Sequence, residues 1–150
     1  MTDIKTPEER SHNMARIRNK DTKPEIYIRK KLFERGYRYR KNATDVFGHP
    51  DMWLAKYNTA VFVHGCYWHR HNGCKYAYVP KSRVNFWMTK FENNIKRDED
   101  VRRNLAISGI RVLVIWECTI RIAMKSEEEE QRVLENVERF LRSEKEYLEL

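Results

Sequence analysis

The chain has 150 residues, 41% hydrophobic and 35% charged, with 30 Lys and Arg against 22 Asp and Glu. That length suits one hydrophobic core, and no run approaches the roughly 18 apolar residues of a membrane span, so no transmembrane helix is expected. The formal charge of +8 is unevenly spread: residues 126–150 hold 9 acidic and 4 basic side chains, leaving 26 basic and 13 acidic in residues 1–125, a formal +13. A surplus of that kind favours a polyanionic partner through counterion release, although composition alone also describes a well-solvated surface.

Thr6-Pro7-Glu8-Glu9 reads as a capping box opening a basic N-terminal helix, with Met14 and Ile17 on one side. Residues 1–20 are therefore expected to form a basic arm, and residues 21–150 a single domain. Thr22-Lys23-Pro24-Glu25 is a second capping box, predicting a helix to about Arg35, before Gly36. Asp51 follows Pro50 at a turn and opens the apolar run Met52-Trp53-Leu54. After a reversal at Lys56-Tyr57-Asn58-Thr59, the run Ala60 to His64 is rich in β-branched and aromatic residues and ends at Gly65. This is a β-hairpin pattern that could bring the Asp51 carboxylate close to His64. A carboxylate and an imidazole so placed can hold a hard divalent cation and orient a water against a phosphodiester. Taken singly, a turn aspartate and a satisfied histidine would look the same.

Three cysteines, an odd number in a chain with no secretory signal, argue against a disulfide framework and for a reducing cytoplasm. Cys66, His71 and Cys74 share one short segment, and Cys118 lies just past the run Val112 to Trp116. If that run pairs with the 60–64 strand, the four residues form a closed Cys₃His site of structural zinc type. Buried free thiols are the competing account. Tyr67 and Trp68 sit on the same polar loop, where large rings are normally avoided, and Trp87 opens a helix after Pro80, Ser82 and Arg83. Rings on a rigid loop can wedge between base pairs, and unstacking costs least at a mismatch. For Trp87, core packing is an equal alternative.

Residues 83–107 read as a long helix with Phe91, Ile95, Val101 and Leu105 inward, stopped by Gly109. A strand from Ile110 to Trp116 follows. Ser126 caps a final helix whose Glu127 to Glu130 favour the positive helix end, with Val133, Leu134, Val137, Phe140 and Leu141 as its buried stripe. That acidic helix should pack away from a nucleic acid. The element order predicts an α/β fold, a mixed sheet flanked by helices.

The segments NMARIRNKDTKPE, FGHPDMW, VFVHGCYWHRH, NFWMTKFENNIKRD and RVLVIWEC, in that order from about residue 10 to residue 120, resemble the very short patch repair endonucleases, a branch of the PD-(D/E)xK nuclease superfamily. The resemblance implies a restriction-endonuclease-like fold and an enzyme that nicks duplex DNA 5′ to the thymine of a T:G mismatch, left by deamination of 5-methylcytosine, using Mg²⁺. It implies that Asp51 and the backbone carbonyl of Val63 hold magnesium, and that His64 and His69 assist at the scissile phosphate. Glu25 would be a further acidic member, and Cys66, His71, Cys74 and Cys118 would hold Zn²⁺. Tyr67, Trp68 and Trp87 would insert beside the mismatch, with Lys90 and Asn94, four apart on one helix face, reading bases. Met14 would help to pry the stack from the minor-groove side, and Arg16, Arg18 and Lys20 would contact phosphate.

Where the wider superfamily has an acidic residue and a lysine on the second strand, this chain has Phe62 and His64, so an imidazole replaces a permanent cation. The resemblance further implies a cytoplasmic, nucleoid-associated monomer, functionally linked to a cytosine-5 DNA methyltransferase and to mismatch-repair proteins. Two other functions fit the same residues: a restriction-like endonuclease needing no mismatch, and a zinc-stapled DNA-binding module without chemistry. The ring set and the His64/His69 pair discriminate the first, and Asp51 the second.

Overall fold

The computed structural model describes residues 21–150; the basic arm expected over residues 1–20, with Met14, Arg16, Arg18 and Lys20, lies outside the described residues. The element order is α1 (Lys23–Glu34), β1 (Arg40–Lys41), β2 (Met52–Leu54), β3 (Thr59–His64), α2 (Val84–Ile107), β4 (Arg111–Trp116), α3 (Glu117–Lys125), α4 (Glu127–Arg142) and β5 (Tyr147–Glu149). The five strands lie in sequence order across one sheet. β1, β2 and β3 pair antiparallel, whereas β3, β4 and β5 pair parallel. The mixed sheet expected from the element order is therefore present.

The predicted hairpin forms with Met52 opposite Val61, and its reversal is a 3₁₀ turn, Ala55–Tyr57, closed by Asn58 in the left-handed region. β3 and β4 are nearly continuous apolar runs because both of their faces are covered. On one face, Val61, Val63, Leu113 and Ile115 pack against Ile28 and Leu32 of α1, Ile120 of α3, and Val133, Leu134, Val137, Phe140 and Leu141 of α4. On the other, Ala60, Phe62, Val112, Val114 and Trp116 meet Leu105 and Val101 of α2. The acidic helix α4 thus lies across the sheet from α2. Its predicted cap is in place, with Ser126 Oγ accepting the Glu129 N–H.

Three features depart from the expectations. The nine residues between Trp116 and Ser126 form α3, an amphipathic helix too short to stand out beside the strand and helix that flank it. Two edge strands, β1 and β5, are too short for periodicity to reveal. On α2, Phe91 and Leu105 are buried and Val101 half-buried as expected, but Ile95 is 39% exposed. The inward face of α2 runs instead through Phe91, Asn94, Asp98, Val101 and Leu105, spaced by threes and fours, with polar residues in the middle of the stripe.

The segment that delivers Asp51 passes close beneath α2. Gly48 has φ +81°, and a Cβ there would clash with Val101 Cγ1, so glycine alone fits this crossing.

Candidate active site and metal centre

β2 ends its pairing with β3 at Met52 opposite Val61, so β3 runs on by Phe62, Val63 and His64 with no strand beside it on that edge. Asp51 occupies the gap: its Oδ2 accepts the Val63 N–H at 2.6 Å. The N–H and C=O of one strand residue face the same edge, so the Val63 carbonyl is directed to the side on which Asp51 lies. Glu25 is 4% exposed and lines the same cleft, of about 720 Å³, as Asp51, Val63, His64 and His69. Its capping role is real as well, since its Oε2 accepts the Asp21 N–H at 2.7 Å and stands 3.7 Å from the Arg29 guanidinium. Burial, then the neighbouring Glu25 carboxylate, pushes the Asp51 carboxyl up to about 7, and burial also raises Glu25. Two crowded, desolvated carboxylates and a carbonyl are a donor set for a hard divalent cation.

Across the cleft the imidazoles of His64 and His69 stack, with centroids 3.9 Å apart and planes 6° from parallel. Burial, with His69 adjacent, holds His64 down at about 3, so it is neutral near pH 7. His69 Nδ1 is 2.7 Å from Asp98 Oδ2, a charge-assisted bond that assigns the proton to Nδ1 and leaves Nε2 as the basic atom. Asp98 escaped the sequence reading. Its signal was there, four residues after Asn94 on one helix face.

The parallel register sets His64 beside Trp116, so the residues just beyond, Cys66 and Cys118, leave adjacent strand ends together. His71 and Cys74 complete the predicted group, and all four ligand atoms lie within 4.8 Å of one another. Cys118 Sγ is 3.4 Å from His71 Nδ1, against the roughly 3.4–3.8 Å between ligands around a tetrahedral ion of zinc size. Burial pushes the Cys66 thiol up to about 12, so a bound cation is what would make it a thiolate. Three thiols and an imidazole fit a structural metal ion.

The three candidate wedge rings also come together. Tyr67 meets Trp68 edge-on at 5.0 Å, and Trp87 lies 6.2 Å and 6.0 Å from them. Trp87 is partly exposed rather than core. Lys90 sits over the Trp68 and Trp87 rings, and Asn94 Nδ2 donates to the Trp68 carbonyl at 3.1 Å. Arg70, also missed from sequence, lies 3.8 Å from the Phe91 ring centroid and donates to the carbonyls of Tyr67, Ala77 and Tyr78, tying the loop to α2.

Residues 2–75 match the sequence model of a family described as DNA mismatch endonuclease Vsr. The type II nicking enzyme V.NmeAIP of Neisseria meningitidis serogroup A is 46% identical over 121 residues, 81% of this chain and 86% of its own. The type II nicking enzyme V.XorIIP of Xanthomonas oryzae is 42% identical over 120 residues, 80% of this chain and 88% of its own. The DNA mismatch endonuclease Vsr of Escherichia coli K12 is 36% identical over 121 residues, 81% of this chain and 77% of its own. With these relatives, a sheet-edge cleft of carboxylates and histidines defines a DNA endonuclease. The chain belongs to the DNA mismatch endonuclease Vsr family, the one that its motifs resemble.

The raised Asp51 carboxyl has a consequence for stability. Folded, Asp51 keeps its proton to about pH 7; unfolded, it releases it near 3.8, so the folded state binds more protons between those values. In magnesium-free buffer the Asp51 contribution to stability should be full below the lower value and be lost as pH rises to the upper one. Urea unfolding at pH 5 and pH 8 should show Asp51→Asn gaining on the wild type at the higher pH; equal differences at both would place the carboxyl in ordinary solvent.

Proposed function

We propose that this chain is a magnesium-dependent, zinc-stabilised enzyme that nicks duplex DNA 5′ to the thymine of a T:G mismatch. The observation that carries this reading is the meeting, in one cleft, of the Asp51 carboxylate on the Val63 edge with the stacked His64/His69 pair, His69 following directly in the chain on Trp68 of the Tyr67, Trp68 and Trp87 ring cluster. Relatives that include type II nicking enzymes and a DNA mismatch endonuclease support both halves of it.

Asp51 and the Val63 carbonyl would hold the magnesium, with Glu25 as a second carboxylate nearby. When bound, the ion supplies Lewis-acid polarisation of the phosphodiester. The protein's own part is proton handling and geometry. His69, whose Nδ1 is held by Asp98 so that Nε2 is left as the acceptor, is assigned the attacking water. His64, neutral and packed against it, faces the same phosphate. The Cys66, His71, Cys74 and Cys118 tetrad would hold zinc and fix the loop that carries Tyr67, Trp68 and His69. These rings would fill the stack beside the mispair, while Lys90 and Asn94 release Trp68 to read base edges. In this reading the enzyme works in the bacterial cytoplasm as a monomer. It corrects products of 5-methylcytosine deamination, so its partners would be a cytosine-5 methyltransferase and mismatch-repair proteins.

On a panel of duplexes that differ only in one T:G or C:G pair, the wild type with Mg²⁺ should nick the T:G strand alone, and Asp51→Asn should lose at least about a hundredfold in rate while binding changes little. Nicking of C:G duplexes at equal rate would select the restriction-like alternative, and full activity of Asp51→Asn would remove the carboxylate from the chemistry. Cys118→Ser should lower zinc per chain, measured by native mass spectrometry, and lower the melting temperature before it lowers the rate of the remaining folded enzyme. A variant that melts like the wild type and never held zinc would refute the tetrad. Tyr67→Ala and Trp68→Ala should reduce T:G over C:G preference by roughly ten- to hundredfold while binding to matched duplex changes severalfold at most, as gel-shift titrations can read.

A further inference from the structure

Trp116 ends β4, is 7% exposed, and is the parallel cross-strand partner of His64. Its indole lies flat on the His71 imidazole, with centroids 4.2 Å apart and planes 7° from parallel. The same ring meets His64 edge-on, at 5.3 Å and 71°. On its far side, the indole Nε1–H donates to Glu149 of β5 at 3.2 Å. The indole is thus fixed by its strand, by a metal-ligand imidazole and by a carboxylate on the next strand.

His64 has no comparable polar anchor. Among the described residues its ring makes no hydrogen bond and is packed by His69 on its face, the Trp116 edge, and Phe62 at 5.9 Å, with the Asp98 carboxylate within 4.8 Å. The terminal torsion of a histidine is broad, so without a hydrogen bond only packing chooses the direction of its ring nitrogens. His69 can stack on His64 in several in-plane rotations, since stacking fixes the plane and not the azimuth. An edge-on contact from a rigid indole does fix it.

We propose that Trp116 is a positioning residue that carries the rigidity of the Cys66/His71/Cys74/Cys118 centre to the reacting histidine. The filled tetrad fixes His71, His71 and Glu149 fix the indole plane, and the indole edge sets the rotation of His64. This rests on the reading of His64 as a group at the scissile phosphate. It gives the structural ion a second task, since the ion then shapes the chemistry through an aromatic strut as well as folding the loop.

The test uses the zinc-loaded full chain and four variants. Trp116→Leu removes both ring contacts, Trp116→Phe keeps a ring and loses the bond to Glu149, Glu149→Ala removes that bond from outside the core, and His64→Ala tests the underlying reading. The readouts are single-turnover nicking at saturating mismatched duplex, duplex affinity, zinc per chain, and the histidine ring resonances by NMR. Trp116→Leu should nick roughly ten- to hundredfold more slowly, with affinity within about twofold and zinc retained, because misdirection of a reacting group costs rate rather than binding. Trp116→Phe should recover most of that loss. Glu149→Ala should show a smaller loss of the same kind and should shift or broaden the His64 resonances. If Trp116→Leu does not fold, Glu149→Ala decides: unchanged His64 resonances and an unchanged rate overturn the strut, as does a zinc-loaded Trp116→Leu enzyme at full rate. Wild-type nicking by His64→Ala would overturn the role given to His64, whereas His64 resonances that move in Glu149→Ala would still support the mechanical link.

Discussion

Everything at this site depends on the register in which β3 and β4 lie side by side. Because successive strand residues face opposite sides, a slip of one residue would turn Val61 and Val63 out of the core formed with α1, α3 and α4 and would turn Phe62 and His64 into it. The same slip would carry Cys118 away from Cys66. The apolar alternation that stabilises the sheet therefore also sets His64 against Trp116 and closes the cysteine group. Core packing and chemistry here are one constraint, enforced by burial worth about 1.5–3 kcal/mol for each large apolar side chain.

The opposite tendency operates at the sheet edge. Asp51 and Glu25 are desolvated and close enough for the one to raise the other, which is unfavourable in any fold that does not use them. Arg29, itself 4% exposed, offsets part of this by its charge on both carboxyls, 3.7 Å from Glu25, although it is shared with Asp21 at 2.8 Å. The Val63 N–H contributes another share. What these groups leave unbalanced is negative charge beside an exposed carbonyl edge, the condition that a divalent cation relieves. Residues that strain a fold in this way concentrate at functional sites.

The parts legible in the sequence were those written in a single period or in residue chemistry. The stripe Val133, Leu134, Val137, Phe140 and Leu141 is a helical face with one partner, so periodicity alone predicted its burial. The hairpin and the Cys66, His71, Cys74 and Cys118 group followed from turn residues and ligand types. The pairing of β3 with β4, on which that group depends, was an assumption that only the fold could supply. β1 and β5 owe their existence to neighbours rather than to propensity, and no local pattern could mark them. The Glu25 position was ambiguous for a physical reason: one carboxylate both caps α1 and lines the cleft, and the capping motif explains it completely without the cleft.

The inward face of α2 was misread because hydrophobicity was the only guide to it. Ile95 is 39% exposed and lines the cleft, and Asn94 and Asp98 take the places that apolar residues would fill in an ordinary packed helix. Each of these replaces packing with a directed bond to the loop that follows β3. Phe91 lies against Tyr67 at 5.4 Å, Asn94 holds the Trp68 carbonyl, and Asp98 holds the His69 ring. Three successive loop residues are thus each met by a successive turn of one helix. Rings at one end of this ladder and an imidazole at the other share one backing, so in the proposed reading a displacement of α2 by DNA at Trp68 would reach His69 through about one turn of helix. Such a ladder sacrifices burial along α2 and leaves the helix anchored in the core mainly by Phe91 and Leu105. A helix bonded to the loop in this way is coupled to it at three successive turns. That is the arrangement needed if ring insertion and alignment of the histidines are to occur as one event.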